Sequence, residues 1–256
     1  MRWLLALLAG CSFRAGATGE SSSADGPGSP RDGQQQLDSH VSDGTAPLPD
    51  GPPPPITLVQ KKSSSQGGGD AISATFGAQS DQDLNVVVVK WDSGSTPCTG
   101  VTDASGNAYA KVGTTVTDGS QSMDVWYATD IVAAASNKVT ATFMASVTTS
   151  ELRMLEYSGM ALVSPVDGSS TGSSATSSTA LDSGTVITAN PRDVLILAEA
   201  STQAEQSVSS GFHVELSVNS DVVADQIVST AGSYDGTAVI NPAGHWMIML
   251  VAFEGQ

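Results

Sequence analysis

The chain has 256 residues, 39% of them hydrophobic, with 26 Gly, 5% aromatic residues and a formal charge of −16. That length holds one good-sized domain or two small ones. From Ala71 onward five Lys and Arg stand against nineteen Asp and Glu, and a field of that sign repels phosphate, so no nucleic-acid partner is expected.

In chain order, Arg2 gives a positive start and Trp3 to Leu8 an apolar run too short to span a bilayer. Small residues follow, and Leu8-Ala9-Gly10-Cys11 resembles the lipobox of bacterial lipoproteins. The resemblance implies cleavage before Cys11, lipidation of its thiol, and a membrane partner reached through the acyl chains. Ser12 stands next; in many Gram-negative lipoproteins a residue other than Asp there implies sorting to the outer membrane. Only ten residues precede Cys11, short for that family, and a start upstream would explain it. The expected division is therefore a signal peptide over 1–10, an anchored linker over 11–70 and a folded domain over 71–256.

The linker reads SSSADGPGSPRDGQQQ, then PLPDGPPPPI, then KKSSSQGGGD. Ser, Gly, Pro, Asp and Gln carry too little apolar surface to offset ordering entropy, so a disordered tether is expected. Pro52 to Pro55 forms a short polyproline stretch within it.

From Ala71 the pattern changes to short strands between turn signals. ISATF (Ile72 to Phe76) alternates, and LNVVVVKW (Leu84 to Trp91) is a β-branched run fit for a central strand. SGNAYAKVG, MDVWYAT, KVTATFMA and LRMLEY follow; DIVAAAS near Ile131 reads as one helical turn. A second low-complexity patch covers Val166 to Thr179. Then come GTVITA, DVLILAEA, FHVELSV, VVADQIVS, TAVI and WMIMLVAF. About twelve short strands without a convincing helix predict an all-β antiparallel sandwich.

The chain also echoes itself. Asp83-Leu84 matches Asp193-Val194, and RMLEYSG (Arg153 to Gly159) matches MLVAFEG (Met249 to Gly255). The halves either interleave into one jelly-roll-like sandwich, the expectation adopted, or form two small immunoglobulin-like sandwiches. The motifs VVVVKW, VTDASGNAY, VWYA, NKVTATF and LEYSG make Ile72 to Gly255 resemble a β-sandwich domain of exported bacterial proteins, often found beside carbohydrate-active or adhesive modules. These are packing and turn residues, so the resemblance implies fold and export and carries no catalytic residues.

Chemistry-bearing residues are sparse. His40, His213 and His245 lack close ligand partners, and no CxxC pattern supports zinc. With Cys11 acylated, Cys98 is left as a buried or a reactive thiol; a Cys11–Cys98 disulfide is the competing assignment. Gly168 to Gly172 fits GxSxG formally but lacks the strand-to-helix turn that makes a nucleophile elbow. Glu156, Glu199 and Glu254 are the carboxylates from which a glycosidase pair would be drawn. Asp103, Ser105 and Asn107 are a candidate calcium loop and equally an ordinary hairpin turn; no other cofactor is expected. Trp126, Tyr127 and Tyr234 are candidate platforms for stacking on a sugar ring, one of Trp126 and Tyr127 facing inward because neighbours on a strand alternate.

The expectation is a lipid-anchored envelope protein that is not an enzyme and displays a binding module, with polysaccharide the first ligand class. The alternatives are a structural or adhesive protein contacting other envelope proteins, and a jelly-roll glycoside hydrolase or lyase.

Overall fold

The computed structural model describes residues 51–256. Cys11, the expected signal and the first part of the expected linker lie outside the described residues.

The run LNVVVVKW forms strand β2 (Leu84–Trp91), with every residue buried. Leu84, Val86 and Val88 face one core while Val87, Val89 and Trp91 face another, which is why the apolar residues run on without alternation. Around it the first half of the chain builds β1 (Thr57–Phe76), β3 (Cys98–Asp103), β4 (Ala110–Lys111), β5 (Val116–Thr117), β6 (Ser122–Ala128) and β7 (Asn137–Ser158). The second half builds β8 (Val166–Ile187), β9 (Asp193–Ser201), β10 (Ala204–Val208), β11 (His213–Val218), β12 (Asp221–Val228) and β13 (Ser233–Glu254).

The strands make two antiparallel sheets, a β-sandwich, and each sheet comes from one half of the chain. The first has the order β1-β7-β2-β6-β4, with β3 on β7 and β5 on β6; the second has β10-β13-β9-β12-β11, with β8 on β13. The two sheets share one pairing path, β1-β7-β2-β6-β4 matching β8-β13-β9-β12-β11, with β10 in the place of β3 and no counterpart of β5. In each half a first long strand pairs with the last, which pairs with a short buried strand, which pairs with the penultimate one. The sequence echo is this repeat: Leu84 lies opposite Tyr157 as Val194 lies opposite Phe253.

Each long strand contributes to two layers. Thr57 to Gly69 pairs with the C-terminal part of β7, and Ala71 to Phe76 with its N-terminal part, across a register shift between Gly69 and Ala71. The second half has its corresponding shift between Val239 and Gly244. Bulges of this kind let a strand change layer. The inner layer then reads β1-β7-β2-β6 and the outer one β1-β7-β3, so each half follows jelly-roll connectivity. Ile72, Phe76, Phe143, Val89 and Trp91 fill the first half, and Leu181, Val186, Leu197, Ile240 and Leu250 the second. A third core joins the halves: Val86, Val88, Leu155 and Tyr157 pack against Ile196, Val223, Met249 and Phe253. Burying one such side chain contributes roughly 1.5–3 kcal/mol. WMIMLVAF, the end of β13, is buried on both faces because it sits between the junction core and the second half's own core.

Four expectations need correction. The halves were expected to interleave into one jelly-roll-like sandwich, yet β1 to β7 pair only among themselves and β8 to β13 likewise, so the halves meet by side-chain packing and not by strand pairing. The linker was expected to run to residue 70, yet β1 begins at Thr57, because KKSSSQGGG pairs residue by residue with β7 along the sheet edge. The patch at Val166 to Thr179 belongs to β8, paired with β13. Its residues are small because β8 folds back over itself: Ser170 Oγ donates to Gly184 O at 3.0 Å, and a Cβ on Gly172 would overlap the Asp182 carbonyl. The expected helical turn near Ile131 is irregular chain tied to the loop before β2, with Ile131 N donating to Asp83 O (3.2 Å) and Gln82 N to Ile131 O (2.9 Å).

Candidate functional site

The candidate calcium loop is a hydrogen-bonded turn after β3. Asp103 Oδ1 accepts from the backbone N–H of Ser105 (3.1 Å) and Asn107 (3.0 Å). Its Oδ2 accepts from Asn107 Nδ2 (2.7 Å), Tyr109 OH (3.1 Å) and Asn137 Nδ2 (2.8 Å). Burial works against the charge, but the bonds from Asn137, Asn107 and Tyr109 outweigh it and hold the carboxyl below its ordinary range. Gln79 and Asn85 complete a ring, since Asn137 donates to Gln79, Gln79 to Asn85, and Asn85 to Tyr109. With five donors on Asp103, the arrangement organises a loop. Among the described residues no three His, Cys, Asp or Glu side chains converge as metal ligands.

The three candidate stacking residues do not share a face. Trp126 is half-buried against the first half's core, with Lys111 Nζ 6.0 Å from its ring centroid. Tyr127 packs on the junction core, edge-on to Phe253 at 5.6 Å. Tyr234 lies on the second half, its hydroxyl donating to Thr230 O at 2.5 Å. Trp126 and Tyr127 turn to opposite faces of β6, and Tyr234 is brought near neither core they join.

The candidate carboxylates are also dispersed. Glu156 is fully buried beside Asp83, and Gln60 Nε2 donates to its Oε2 at 2.5 Å. Burial, then the bond and the charge shared with Glu156, hold Asp83 well above the usual carboxylate range. Glu199 is fully buried with both oxygens unpartnered, and burial followed by the Asp221 charge pushes it up to about 8. Glu254 ends β13 and is half-buried. The equivalent of Asp83 in the second half, Asp193, is pushed up to about 7 by burial and by Asp167. Cys98 is buried, its thiol directed at Gly100 O (3.8 Å), and burial pushes it up to about 11, so it stays protonated at neutral pH. His213 is exposed on β11 opposite Asp225, and His245 is half-buried on β13. The GxSxG stretch lies within β8, with no helix after it.

The polar groups that do converge were not picked out from the sequence. They sit where the halves meet. A cavity of about 280 Å³ is walled by Ser65, Gln66 and Gly67 of β1, by Thr149, Ser150 and Glu151 of β7, and by Asn219 in the turn between β11 and β12. Asn219 and Ser220 both have positive φ, at 50° and 76°, the geometry of a two-residue hairpin that Asn tolerates well. The turn aims Asn219 across the junction, where its Nδ2 donates to Glu151 Oε1 at 2.8 Å. Ser150 Oγ and Glu151 Oε2 have no hydrogen-bond partner, although the residues are 1% and 3% exposed.

Charged residues continue inward from that wall. Lys90 Nζ is 2.8 Å from Asp92 Oδ1 and 3.9 Å from Asp221 Oδ2. Arg153, fully buried, donates from one terminal nitrogen to the carbonyls of Glu199 (2.9 Å) and Val222 (3.0 Å). Burial raises Asp221, opposed by Arg153 and reinforced by Glu151. Burial also works against Asp92, yet the bonds from Lys90 and Thr149 lower it. The residue types around the cleft, hydroxyl, amide and carboxylate, are the ones that bind a polyol. A second cavity, about 220 Å³, is lined by Trp91, Thr96 and Ser122, but Trp91 Nε1 already donates to Thr96 O at 2.7 Å.

Comparison of the chain with protein-family models, with curated proteins and with solved structures finds no match.

Proposed function

We propose that this chain is an exported bacterial lipoprotein, anchored through Cys11 to the envelope, outer membrane first, that displays a non-catalytic β-sandwich as a binding module for polysaccharide. The observation that carries the binding reading is the junction cleft, a cavity of about 280 Å³ whose lining residues Ser65, Gln66, Thr149, Ser150, Glu151 and Asn219 are all polar. A cleft lined by hydroxyl, amide and carboxylate residues matches the hydroxyl-rich surface of a polyol. The dispersal of Glu156, Glu199 and Glu254 among different surroundings favours binding over hydrolysis, which needs two carboxyls on one sugar. The lipobox residues Leu8 to Cys11 carry the anchoring part of the reading.

A screen of the full chain against neutral, acidic and amino polysaccharides, with and without calcium, tests it. Micromolar binding that falls at least tenfold in the double variant Ser150→Val, Asn219→Ala is expected, and calcium dependence would bring the Asp103 loop into the site. Absence of binding to every polymer contradicts the polysaccharide reading.

A second reading, contact with envelope proteins, is favoured by β8. This edge strand pairs with β13 alone, and from Gly168 to Leu181 it carries no charge or proline that would block pairing with another chain. On that reading Ser173→Lys abolishes partner capture and leaves polysaccharide binding untouched.

A further inference from the structure

We propose that Lys90 and Asp221 condense to an isopeptide bond that joins the two halves of the chain covalently, with Glu151 carrying the proton. The inference stands apart from the cleft reading and holds whatever the protein binds.

The three residues come from three strands and turn to one core. Side chains alternate along a strand, so Lys90 shares the face of β2 with Val86 and Val88, Glu151 that of β7 with Leu155 and Tyr157, and Asp221 that of β12 with Val223, all on the junction side. Lys90 and Glu151 lie opposite each other in the β2–β7 register. Lys90 Nζ is 3.9 Å from Asp221 Oδ2 across the junction, and the two side chains are 7% and 2% exposed. Asn219 Nδ2 holds Glu151 Oε1 at 2.8 Å, and Glu151 Oε2 is buried without a hydrogen-bond partner. Packing alone does not call for this polar set. The equivalent positions in the repeat are Ala200, Met247 and Met123, all apolar and all in the same core.

Two charges buried together are costly to desolvate, and condensing them to a neutral amide removes both from the core. Asp92, 2.8 Å from Lys90 Nζ, is the poorer partner. Burial works against its charge, but Lys90 and Thr149 keep it below the ordinary carboxylate range, and an ionised carboxylate resists attack by an amine. Burial, opposed by Arg153 and reinforced by Glu151, raises Asp221, which can therefore take a proton from the Lys90 ammonium. The neutral amine attacks Asp221 Cγ and the C–N bond forms. Glu151 takes a proton from that nitrogen and delivers it to the hydroxyl, the C–O bond breaks and water leaves. One ammonium and one carboxylate give one amide and one water, Glu151 ends as it began, and no other reactant enters. The fixed approach of the two groups supplies the effective concentration that such a condensation needs. In the linked chain Asp221 no longer titrates, and the loss of stability at alkaline pH rests on Glu199, Asp193 and Asp83.

Tryptic digestion of the denatured full chain, read by mass spectrometry, tests this. A lysine in amide linkage is not cut, so the expected product is 63–111 joined to 193–256, lighter by one water than the two peptides together. Lys90→Arg restores cleavage at that position and frees 193–256. Glu151→Gln keeps the shape of the side chain, cannot take the proton, and leaves most of the chain unlinked. The wild-type digest decides without any variant: 63–90, 91–111 and a free 193–256 overturn the proposal. Loss of water confined to 63–111 places the bond on Asp92 and overturns it as well. Complete linkage in Glu151→Gln overturns the role given to Glu151.

Discussion

The buried carboxyls set how this protein responds to pH. Glu199 and Asp193 titrate at about 8 and 7, and Asp83 and Asp221 are raised as well. A carboxyl raised on folding binds its proton more tightly in the native state, so the stability it contributes is complete below the unfolded value near 4 and is lost as pH rises through the folded one. Asp92 and Asp103 are lowered, and theirs is present above that value and lost as pH falls below it. The melting temperature should therefore peak between about pH 4 and 6 and fall steadily to pH 9. Glu199→Gln should flatten the alkaline side of that curve and shift the pH 5 midpoint by no more than about 2 °C, less than 1 kcal/mol for a domain of this size. A midpoint that climbs from pH 5 to pH 9 would show that these carboxyls are not buried as described. None of this was legible in the sequence, where Glu at a strand end reads as solvent-facing. Burial there comes from a second sheet folded over the strand. Arg153 makes the same point, since its equivalent in the other half is Met249: Val88 lies opposite the one and Ala198 opposite the other. Both Arg153→Ala and Arg153→Met take the donor from the Glu199 and Val222 carbonyls, but only Ala also leaves a cavity, so Arg153→Ala should cost about 3–5 kcal/mol and Arg153→Met far less. Denaturant midpoints of the two variants distinguish this from a surface role, in which they would be equal.

Among the elements, apolar strands were legible and polar ones were not. β2, β9 and the end of β13 announce themselves because burial on two faces demands unbroken apolar runs. β1 and β8 run for 20 and 22 residues and pair along most of that length, yet KKSSSQGGG and GSSTGSSATSS look like linker. In β8 the reason is close approach of the strand to its own second half, which leaves room only for Gly and Ser. In β1 the residues line an edge with one neighbouring strand, where small polar side chains suffice. This has a consequence for any fragment of the protein. One beginning at Ala71 would strip Thr57 to Asp70 from β7 and uncover the edge beside Leu152 and Leu155. A fragment over 51–256 should melt as the full chain does, and one over 71–256 should melt at least 10 °C lower or aggregate. Identical melting curves would remove β1 from the folded unit.

At the scale of the whole molecule, the internal echo turned out to be a duplicated jelly roll, with the two copies face to face across a shared core. A handful of matched residues revealed the repeat, but the pairing of each half within its own sheet follows from long-range register that short motifs do not encode. The candidate site was less legible still. Asn219 is 68 or more residues from Ser150 and Glu151, and only the packing of one copy on the other brings it to them. The polar ties across that junction, Tyr157 OH to Asp225 Oδ2 at 2.7 Å and Lys61 Nζ to Glu215 Oε2 at 2.7 Å, hold the copies in one register and so hold the cleft open at a fixed width. The most direct measurement is a map of backbone amide chemical shifts in the full chain during titration with a bound saccharide. A cleft at the junction predicts changes centred on Ser65 to Gly67, Thr149 to Glu151 and Asn219. Changes centred instead on Trp126 and Tyr127, or on Tyr234, would contradict it.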